Sequence, residues 1–167
     1  ENVKAVAKKL KNEKVKVTGL INAAGISSMN LAVATTPNMT QSIIQTNLVG
    51  TIYCCQIFSP LMFRNKSGSI INFSTIAVPL GLKGESVYVA SKAGIEGFSR
   101  SFAREAADFN VRVNCIAPGP INTDLLKGVS SEQIDRIVSQ QVIPKQFIPS
   151  DVCDLVELLL DNKSASL

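Results

Sequence analysis

Apolar positions along the chain follow two spacings, one typical of helices and one typical of buried strands. A helix is predicted over residues 3–10, where four apolar side chains lie three or four residues apart: Val3, Val6, Ala7 and Leu10. Longer helices are predicted over about 38–63, after the start signal Thr36-Pro37, and over about 86–108. Short apolar runs predict strands over 19–23, 69–73 and 111–117, the last stopped by Pro118-Gly119.

Strands that are separated by long helices, with no hairpin signal between them, favour a parallel sheet. Parallel strands are joined by right-handed crossovers and are covered by helices on both faces. The predicted fold class is therefore α/β, a three-layer αβα doubly wound parallel sheet of the Rossmann-like kind. Ligands of such sheets bind beyond the carboxyl ends of the strands. The residues that follow the three predicted strands are thus the first candidates for a functional site.

The segment Tyr88-Val-Ala-Ser-Lys92 carries the clearest candidate chemistry. Residues at i and i+4 share one helix face, so a phenol and an ammonium would lie side by side. An unperturbed tyrosine titrates near ~10, and we expect the adjacent cation to lower this pKa. The phenol could then give up or take back a proton near neutral pH, as reduction of a carbonyl requires. The alternative is an ordinary pair on an exposed helix face, because short motifs also arise by chance.

Four further motifs accompany this pair. They are Asn22-Ala23-Ala24-Gly25 after the first strand, Asn47-Leu48-Val49-Gly50 within the helix over 38–63, Ser74-Thr75 after the second strand, and Pro118-Gly119-Pro120-Ile121-Asn122-Thr123-Asp124 after the third. Thr75 stands thirteen residues before Tyr88. Each motif alone could be a turn or a strand end, but three of the four would meet at one edge of the sheet.

In that order and at that spacing, these residues closely resemble the classical short-chain dehydrogenase/reductase family, particularly its members that are similar to 3-oxoacyl-[acyl-carrier-protein] reductases. The resemblance covers nearly the whole chain. It implies an NAD(P)-dependent oxidoreductase that interconverts a ketone and a secondary alcohol, with a 3-oxoacyl thioester as one substrate class. A sugar, polyol or steroid alcohol dehydrogenase of the same family is the alternative. The implied cofactor is NAD or NADP, with NADP favoured for a reductase.

The resemblance also implies roles for individual residues. Tyr88 would be the general acid in reduction, Thr75 would hydrogen-bond the substrate carbonyl, Lys92 and Tyr88 would contact the cofactor ribose, and Asn47 would hold a water that relays protons to Lys92. The family usually has serine at the position of Thr75, so Ser74 is the fallback. The remaining cofactor-binding positions are Asn22, Ala23, Ala24 and Gly25 on the adenosine side, and Pro118, Gly119, Ile121 and Thr123 around the nicotinamide carboxamide.

One family feature does not occur in the chain, namely the Gly-x-x-x-Gly-x-Gly turn under the pyrophosphate. No three of the ten glycines have those spacings. We therefore expect residues 1–167 to form a single partial Rossmann-like domain that lacks the glycine-rich nucleotide-binding half and the final strand. Its three strands would correspond to the fourth, fifth and sixth strands of the family sheet. Alone, the chain is expected to be inactive and to bind no nicotinamide cofactor; a non-catalytic binding subunit is a further interpretation.

Composition and charge exclude several other classes of function. The chain is 46% apolar and 18% charged, as is ordinary for a globular α/β protein. Its net charge of +4 comes from six lysines between Lys4 and Lys16, which favours a solvated helix face over a nucleic-acid or membrane surface. Histidine is absent and the four cysteines have no Cys-x-x-Cys spacing, so no metal site is expected and the thiols are expected to be buried and reduced. Cytoplasmic localisation is the default expectation.

Two predictions concern surfaces. The helices around 38–63 and 86–108 match those that form the subunit interface in the family, and a homo-oligomer is expected to bury apolar side chains there: Ile52, Phe58, Phe98 and Phe102. The segment from Leu125 to Phe147 is expected to be a mobile lid over a small-molecule substrate. Its apolar stripe, Ile134, Ile137, Val138 and Val142, is expected to serve helix packing more than substrate contact.

Overall fold

A three-stranded parallel sheet organises the chain. The computed structural model describes residues 2–127 and 129–166, and its strands are β1 (Gly19–Asn22), β2 (Gly68–Phe73) and β3 (Val111–Ile116), in the spatial order β1-β2-β3. Asn22 lies opposite Asn72, and Phe73 lies opposite Ile116. The carboxyl ends of the three strands therefore meet at one edge. This arrangement confirms the predicted α/β class and parallel sheet.

Helices connect the strands in the expected order. They are α1 (Asn2–Asn12), α2 (Pro37–Ile43), α3 (Gly50–Asn65), α4 (Ala77–Leu80), α5 (Ser86–Ala107), α6 (Ser131–Ser139) and α7 (Pro149–Leu160), with short 3-10 segments at Ala32–Ala34, Asp124–Leu126 and Asn162–Ser164. Helices α2 and α3 are joined without a break by a π-helical stretch over Ile44–Val49. The predicted start signal is used, because the Thr36 side chain accepts a hydrogen bond from the Met39 N–H at 3.2 Å.

Helices cover both faces of the sheet. On one face, α3 and α5 enclose a core of six buried residues: Cys55, Met62, Ile70, Phe102, Ala106 and Val111. On the other face, Leu159 of α7 packs on Ile71 and Ile116. The central strand β2 is buried on both sides, as its continuous apolar run predicted. The molecule thus has the three layers of the predicted αβα fold.

Two predictions about side-chain burial are wrong in part. Phe102 does not provide surface for a subunit interface, because it lies 9% exposed in the core of the chain, with the Phe98 ring stacked on it at 5.2 Å. The cysteines are not all buried. Cys55, on α3, is buried, whereas Cys115 and Cys153 are exposed. Cys115 lies on β3, at one edge of the described sheet.

The predicted lid contains one short helix, α6, and its residue 128 lies outside the described residues. Ile134, Ile137 and Val138 are half-buried, in line with packing. Val142 is fully exposed, because α6 ends at Ser139 and the chain turns away from the helical spacing. Within 2–127 and 129–166, no helix has both the length and the apolar character needed to cross a membrane.

Candidate active site at the carboxyl ends of the strands

The structure brings Tyr88 and Lys92 to the end of β2. Both residues lie on the buried face of α5, with Tyr88 7% and Lys92 5% exposed. The Lys92 ammonium donates a hydrogen bond of 2.8 Å to the backbone carbonyl of Phe73, the last residue of β2. Its Nζ lies 5.8 Å from the centroid of the Tyr88 ring. The pair is therefore not an exposed helix-face pair, and the ammonium is directed at the sheet.

Thr75 is the hydroxyl that faces the phenol. Its hydroxyl is close enough to Tyr88 to act on the pKa of the phenol, and its Oγ1 accepts a hydrogen bond from the Ala77 N–H at 3.2 Å, at the start of α4. Ser74 is buried and its Oγ is directed elsewhere, donating to Glu96 Oε1 at 2.6 Å. Of the two hydroxyls that follow β2, the geometry thus favours Thr75 as the partner of Tyr88.

The expectation that Lys92 lowers the pKa of Tyr88 is wrong for this structure. Burial raises the pKa of Tyr88 to about 12, the Glu85 carboxylate adds to the increase, and the hydrogen bond of Thr75 opposes it. Burial likewise lowers the pKa of Lys92, while the nearby Cys115 thiol acts in the opposite direction. The cost of burying a phenolate is the largest influence on this pKa, and the Lys92 ammonium is not among the groups that shift it. At neutral pH the phenol is protonated and can donate its proton.

Asn47 lies in the π-helical stretch and is fully buried. Its side chain clamps the loop after β1, accepting from the Ile26 N–H at 2.8 Å and donating to the Ile26 carbonyl at 2.9 Å. The same amide nitrogen donates to Ser91 Oγ at 3.0 Å, and that hydroxyl donates to the Tyr88 carbonyl at 2.7 Å. Through these hydrogen bonds, Asn47 ties the β1 loop to the helix that carries Tyr88 and Lys92. Its place in a π-helical stretch agrees with a functional role, because π-helical turns inside helices often mark functional sites.

Asn22 ends β1 with its side chain inside the protein. Its Nδ2 donates to Asn72 Oδ1 at 2.8 Å and to Cys55 Sγ at 3.3 Å, and Asn72 in turn donates to Ser99 Oγ at 2.8 Å. The Asn22 amide is thus engaged in a buried network that joins β1, β2, α3 and α5. After Asn22 the chain continues into the exposed Ala23 and Ala24 and the half-buried Gly25.

The residues at the strand ends fit the nicotinamide portion of a dinucleotide cofactor. A Cβ at Gly25 would lie 3.4 Å from Asn47 Oδ1 and 3.6 Å from Lys92 Nζ, so the glycine keeps open the approach to the ammonium. In the loop after β3, the backbone N–H and C=O of Ile121 make no hydrogen bond within the described part of the chain. The next residue does, because the Asn122 N–H donates to the Phe147 carbonyl at 2.9 Å. A carboxamide can pair with such a donor and acceptor.

The other predicted positions after β3 border the same edge. The Pro118 carbonyl accepts from the Ile76 N–H at 3.0 Å, and the side chain of Gln141 lies over Gly119, where a Cβ would be 3.2 Å from Gln141 Oε1. Thr123 is exposed and precedes the 3-10 segment Asp124–Leu126. The loop after β1 reaches this segment, because Ser27 Oγ donates to the Leu125 carbonyl at 3.3 Å.

Sequence reasoning missed four contributors to the site. Glu96, Ser91 and the Phe73 carbonyl act on the predicted residues through contacts between distant segments, whereas Glu85 stands three residues before Tyr88 at the start of α5. Glu96 could have been suspected, because it continues the four-residue spacing of Tyr88 and Lys92 along α5. The Phe73 carbonyl has no sequence signal, since every residue supplies one.

Comparison with known proteins shows which family the chain resembles over its whole length. The family described as enoyl-(acyl carrier protein) reductase matches residues 1–167. Carbonyl reductase family member 4 of Xenopus laevis is 34% identical over 160 residues, which cover 96% of this chain and 66% of that protein. The 3-oxoacyl-[acyl-carrier-protein] reductase FabG of Staphylococcus aureus is 34% identical over 164 residues, covering 98% of this chain and 67% of FabG.

Solved structures show the same fold. ElxO with NADP bound is 28% identical with a TM-score of 0.89, and the match covers 99% of this chain and 68% of ElxO. Gox2181 is 25% identical with a TM-score of 0.90, covering 99% of this chain and 66% of gox2181. The chain thus spans about two thirds of the length of the relatives that it matches. With its full length matched by the family and its strand-end residues converging on Tyr88 and Lys92, the chain belongs to the short-chain dehydrogenase/reductase family.

Proposed function

We propose that the protein uses NADPH to reduce a ketone to a secondary alcohol, and that Thr75, Tyr88, Lys92 and Asn47 carry the reaction. The single observation that carries this proposal is the placement of a buried, protonated phenol beside the Thr75 hydroxyl at the carboxyl end of β2. Two donors that face one space suit the oxygen of a carbonyl on which negative charge develops.

In this proposal the proton comes from Tyr88. The raised pKa keeps the phenol in its acid form at neutral pH, as the reductive direction requires. Thr75 donates to the same oxygen and holds it toward the phenol. Lys92, held by the Phe73 carbonyl, orients the ribose and provides positive charge near the site. The nicotinamide cofactor supplies the hydride when it is bound.

Asn47 has two tasks in this proposal. Its side chain keeps the β1 loop against α5 through Ile26 and Ser91, and the loop contains Gly25, beside the Lys92 ammonium. We further propose that Asn47 holds the relay water through its backbone carbonyl, which also accepts from Thr51 Oγ1 at 2.7 Å. The proton given up by Tyr88 would be replaced through Lys92 and this water.

The names of the relatives guide the choice of substrate and cofactor. One relative is a 3-oxoacyl-[acyl-carrier-protein] reductase, one is a carbonyl reductase, and one solved relative has NADP bound. We therefore propose a 3-oxoacyl thioester or another small ketone as substrate and NADP as cofactor. We further propose a cytoplasmic homo-oligomer in which α3, with the half-buried Ile52 and Phe58, contributes to the interface.

The test is consumption of NADPH by the protein in its full reading frame, with a 3-oxoacyl thioester, a simple ketone and a keto sugar as substrates. Tyr88→Phe should lower kcat by about 10²–10⁴, the typical contribution of a general acid. Thr75→Ala should lower kcat by about 10²–10³, as loss of an oxyanion donor does. Tyr53→Phe, which removes the other phenol of the chain, should leave kcat unchanged.

A wild-type protein that consumes NADPH with none of the substrates would contradict the proposal, as would a Tyr88→Phe variant that keeps the wild-type rate. A preference for the keto sugar over the thioester would favour the sugar or polyol dehydrogenase assignment. Size-exclusion chromatography with light scattering tests the oligomer, and Phe58→Glu should dissociate it if α3 is the interface.

A further inference from the structure

Three successive turns of α5 contact three successive residues at the end of β2. Tyr88, Lys92 and Glu96 stand four residues apart and so share one face of the helix. Lys92 Nζ donates to the Phe73 carbonyl at 2.8 Å, Glu96 Oε1 accepts from Ser74 Oγ at 2.6 Å, and the Thr75 hydroxyl lies close enough to Tyr88 to act on the pKa of its phenol. The three contacts together set the register between the catalytic helix and the strand end.

The contact between Ser74 and Glu96 is short and largely buried. Ser74 is 4% exposed, and its N–H extends the β2–β3 ladder by donating to the Ile116 carbonyl at 2.7 Å. Its hydroxyl donates to the Glu96 carboxylate at 2.6 Å, a typical length for a charge-assisted O–H···O⁻ hydrogen bond. Such a hydrogen bond is about twice as strong as one between neutral groups. Ser74 is therefore held on one side by the sheet and on the other by α5.

The second interaction of Glu96 is much weaker. Its Oε2 lies 3.6 Å from Arg100 Nη1, but the Arg100 side chain is 73% exposed. Exposed ion pairs one helical turn apart contribute about 0.3–0.5 kcal/mol. The Glu96 side chain itself is only 23% exposed. The buried contact with Ser74, and not the ion pair with Arg100, is thus the interaction through which Glu96 acts on the site.

The residue that follows Ser74 is Thr75, whose hydroxyl must stay opposite the Tyr88 phenol. We propose that Glu96 is a positioning residue for the reaction, an inference that rests on the function proposed above. By accepting the hydrogen bond of Ser74, Glu96 fixes the backbone after β2 and so holds the Thr75 hydroxyl in line with Tyr88. Glu96 touches neither substrate nor cofactor in this proposal. Its effect on turnover passes entirely through Ser74.

The experiment compares Glu96→Ala, Ser74→Ala and the double variant with the wild-type protein in its full reading frame. Each single variant should lower kcat by about 10- to 100-fold, since a displacement of about 1 Å can cost 10²-fold in rate. The KM for NADPH should stay within about twofold. The double variant should be no slower than the slower single variant, because both changes remove the same contact.

Two matched variants separate the hydrogen bond from charge and folding. Glu96→Gln keeps a carbonyl oxygen that can accept from Ser74, so it should restore most of the wild-type kcat. Arg100→Ala removes the exposed ion pair alone and should leave kcat and KM unchanged. A readout independent of turnover is amide hydrogen exchange at Ala77, whose N–H is bonded to Thr75 Oγ1. This exchange should accelerate in Glu96→Ala and stay at the wild-type rate in Arg100→Ala.

The inference is overturned if Glu96→Ala and Ser74→Ala turn over within twofold of wild type, or if Glu96→Gln is as slow as Glu96→Ala. Additive losses in the double variant would also overturn it. A wild-type protein without carbonyl reductase activity would instead show that the proposed function has failed. The exchange rate at Ala77 would then still decide whether Glu96 holds the Thr75 turn.

Discussion

Burial of the Tyr88 phenol should make the stability of the protein depend on alkaline pH. The pKa of Tyr88 rises from 10.0 to about 12 on folding, chiefly because burial penalises the phenolate. Above pH 10 the unfolded chain loses this proton while the folded protein retains it. The stabilisation from a neutral buried phenol is therefore fully present below pH 10 and is lost as pH rises through the folded pKa of about 12.

The size of this effect follows from the shift. A pKa difference of about two units corresponds to about 2.7 kcal/mol in total, at about 1.36 kcal/mol per unit. Between pH 9 and pH 11, the linkage relation gives a loss of about 1.3 kcal/mol in the free energy of unfolding from Tyr88 alone. Cys55, whose pKa is also raised to about 12 by burial, contributes in the same direction. Its contribution is common to wild type and to variants at Tyr88.

The assay is urea unfolding, followed by circular dichroism at pH 9 and pH 11, of wild type, Tyr88→Phe and Glu85→Gln. The loss of stability between the two pH values should be about 1.3 kcal/mol smaller in Tyr88→Phe than in wild type. Glu85→Gln removes a carboxylate that raises the pKa of Tyr88. The stability that this variant loses between pH 9 and pH 11 should therefore lie between the losses of wild type and Tyr88→Phe. Equal losses in wild type and Tyr88→Phe would refute the assignment of a raised pKa to this phenol.

Two further predictions concern packing around the site. In urea unfolding, Gly94→Ala should be about 1–3 kcal/mol less stable than Gly97→Ala. A Cβ at Gly94 would lie 2.8 Å from Leu48 Cδ2, whereas a Cβ at Gly97 would have no atom within 4 Å. Equal stability of the two variants would contradict this prediction. Asn72→Ala should lower the free energy of unfolding by about 1–3 kcal/mol, because it removes the hydrogen-bond acceptor of Asn22 and leaves buried polar groups without their partner. A loss below about 0.5 kcal/mol would show that this network is not needed for stability.

Most of the scaffold could be predicted from the sequence because its signals are local. The apolar runs at β1, β2 and β3 and the amphipathic stretch of α1 lie within one or two residues of their predicted bounds. The convergence of the motifs after β1, β2 and β3 follows from parallel pairing alone, since parallel strands bring their carboxyl ends together. The assignment of Thr75 over Ser74 rests on spacing along the chain and stays a prediction; the Ser74 hydroxyl is directed at Glu96.

The parts that could not be predicted depend on contacts between distant segments. The π-helical stretch over Ile44–Val49 forms where the Asn47 side chain reaches Ile26, 21 residues earlier, and no periodic pattern reports such a contact. The direction of the pKa shift at Tyr88 was missed because proximity along the helix says nothing of burial, which is the largest influence on this pKa.

The most direct test of the central claim is transfer of deuterium from NADPH labelled at the nicotinamide C4 to a ketone. The product of the protein in its full reading frame would be analysed by mass spectrometry, alongside the product of Tyr88→Phe. The account predicts one deuterium at the carbinol carbon of the wild-type product and a rate lower by at least about 10²-fold in Tyr88→Phe. Unlabelled alcohol, no alcohol, or equal transfer by the two proteins would contradict it.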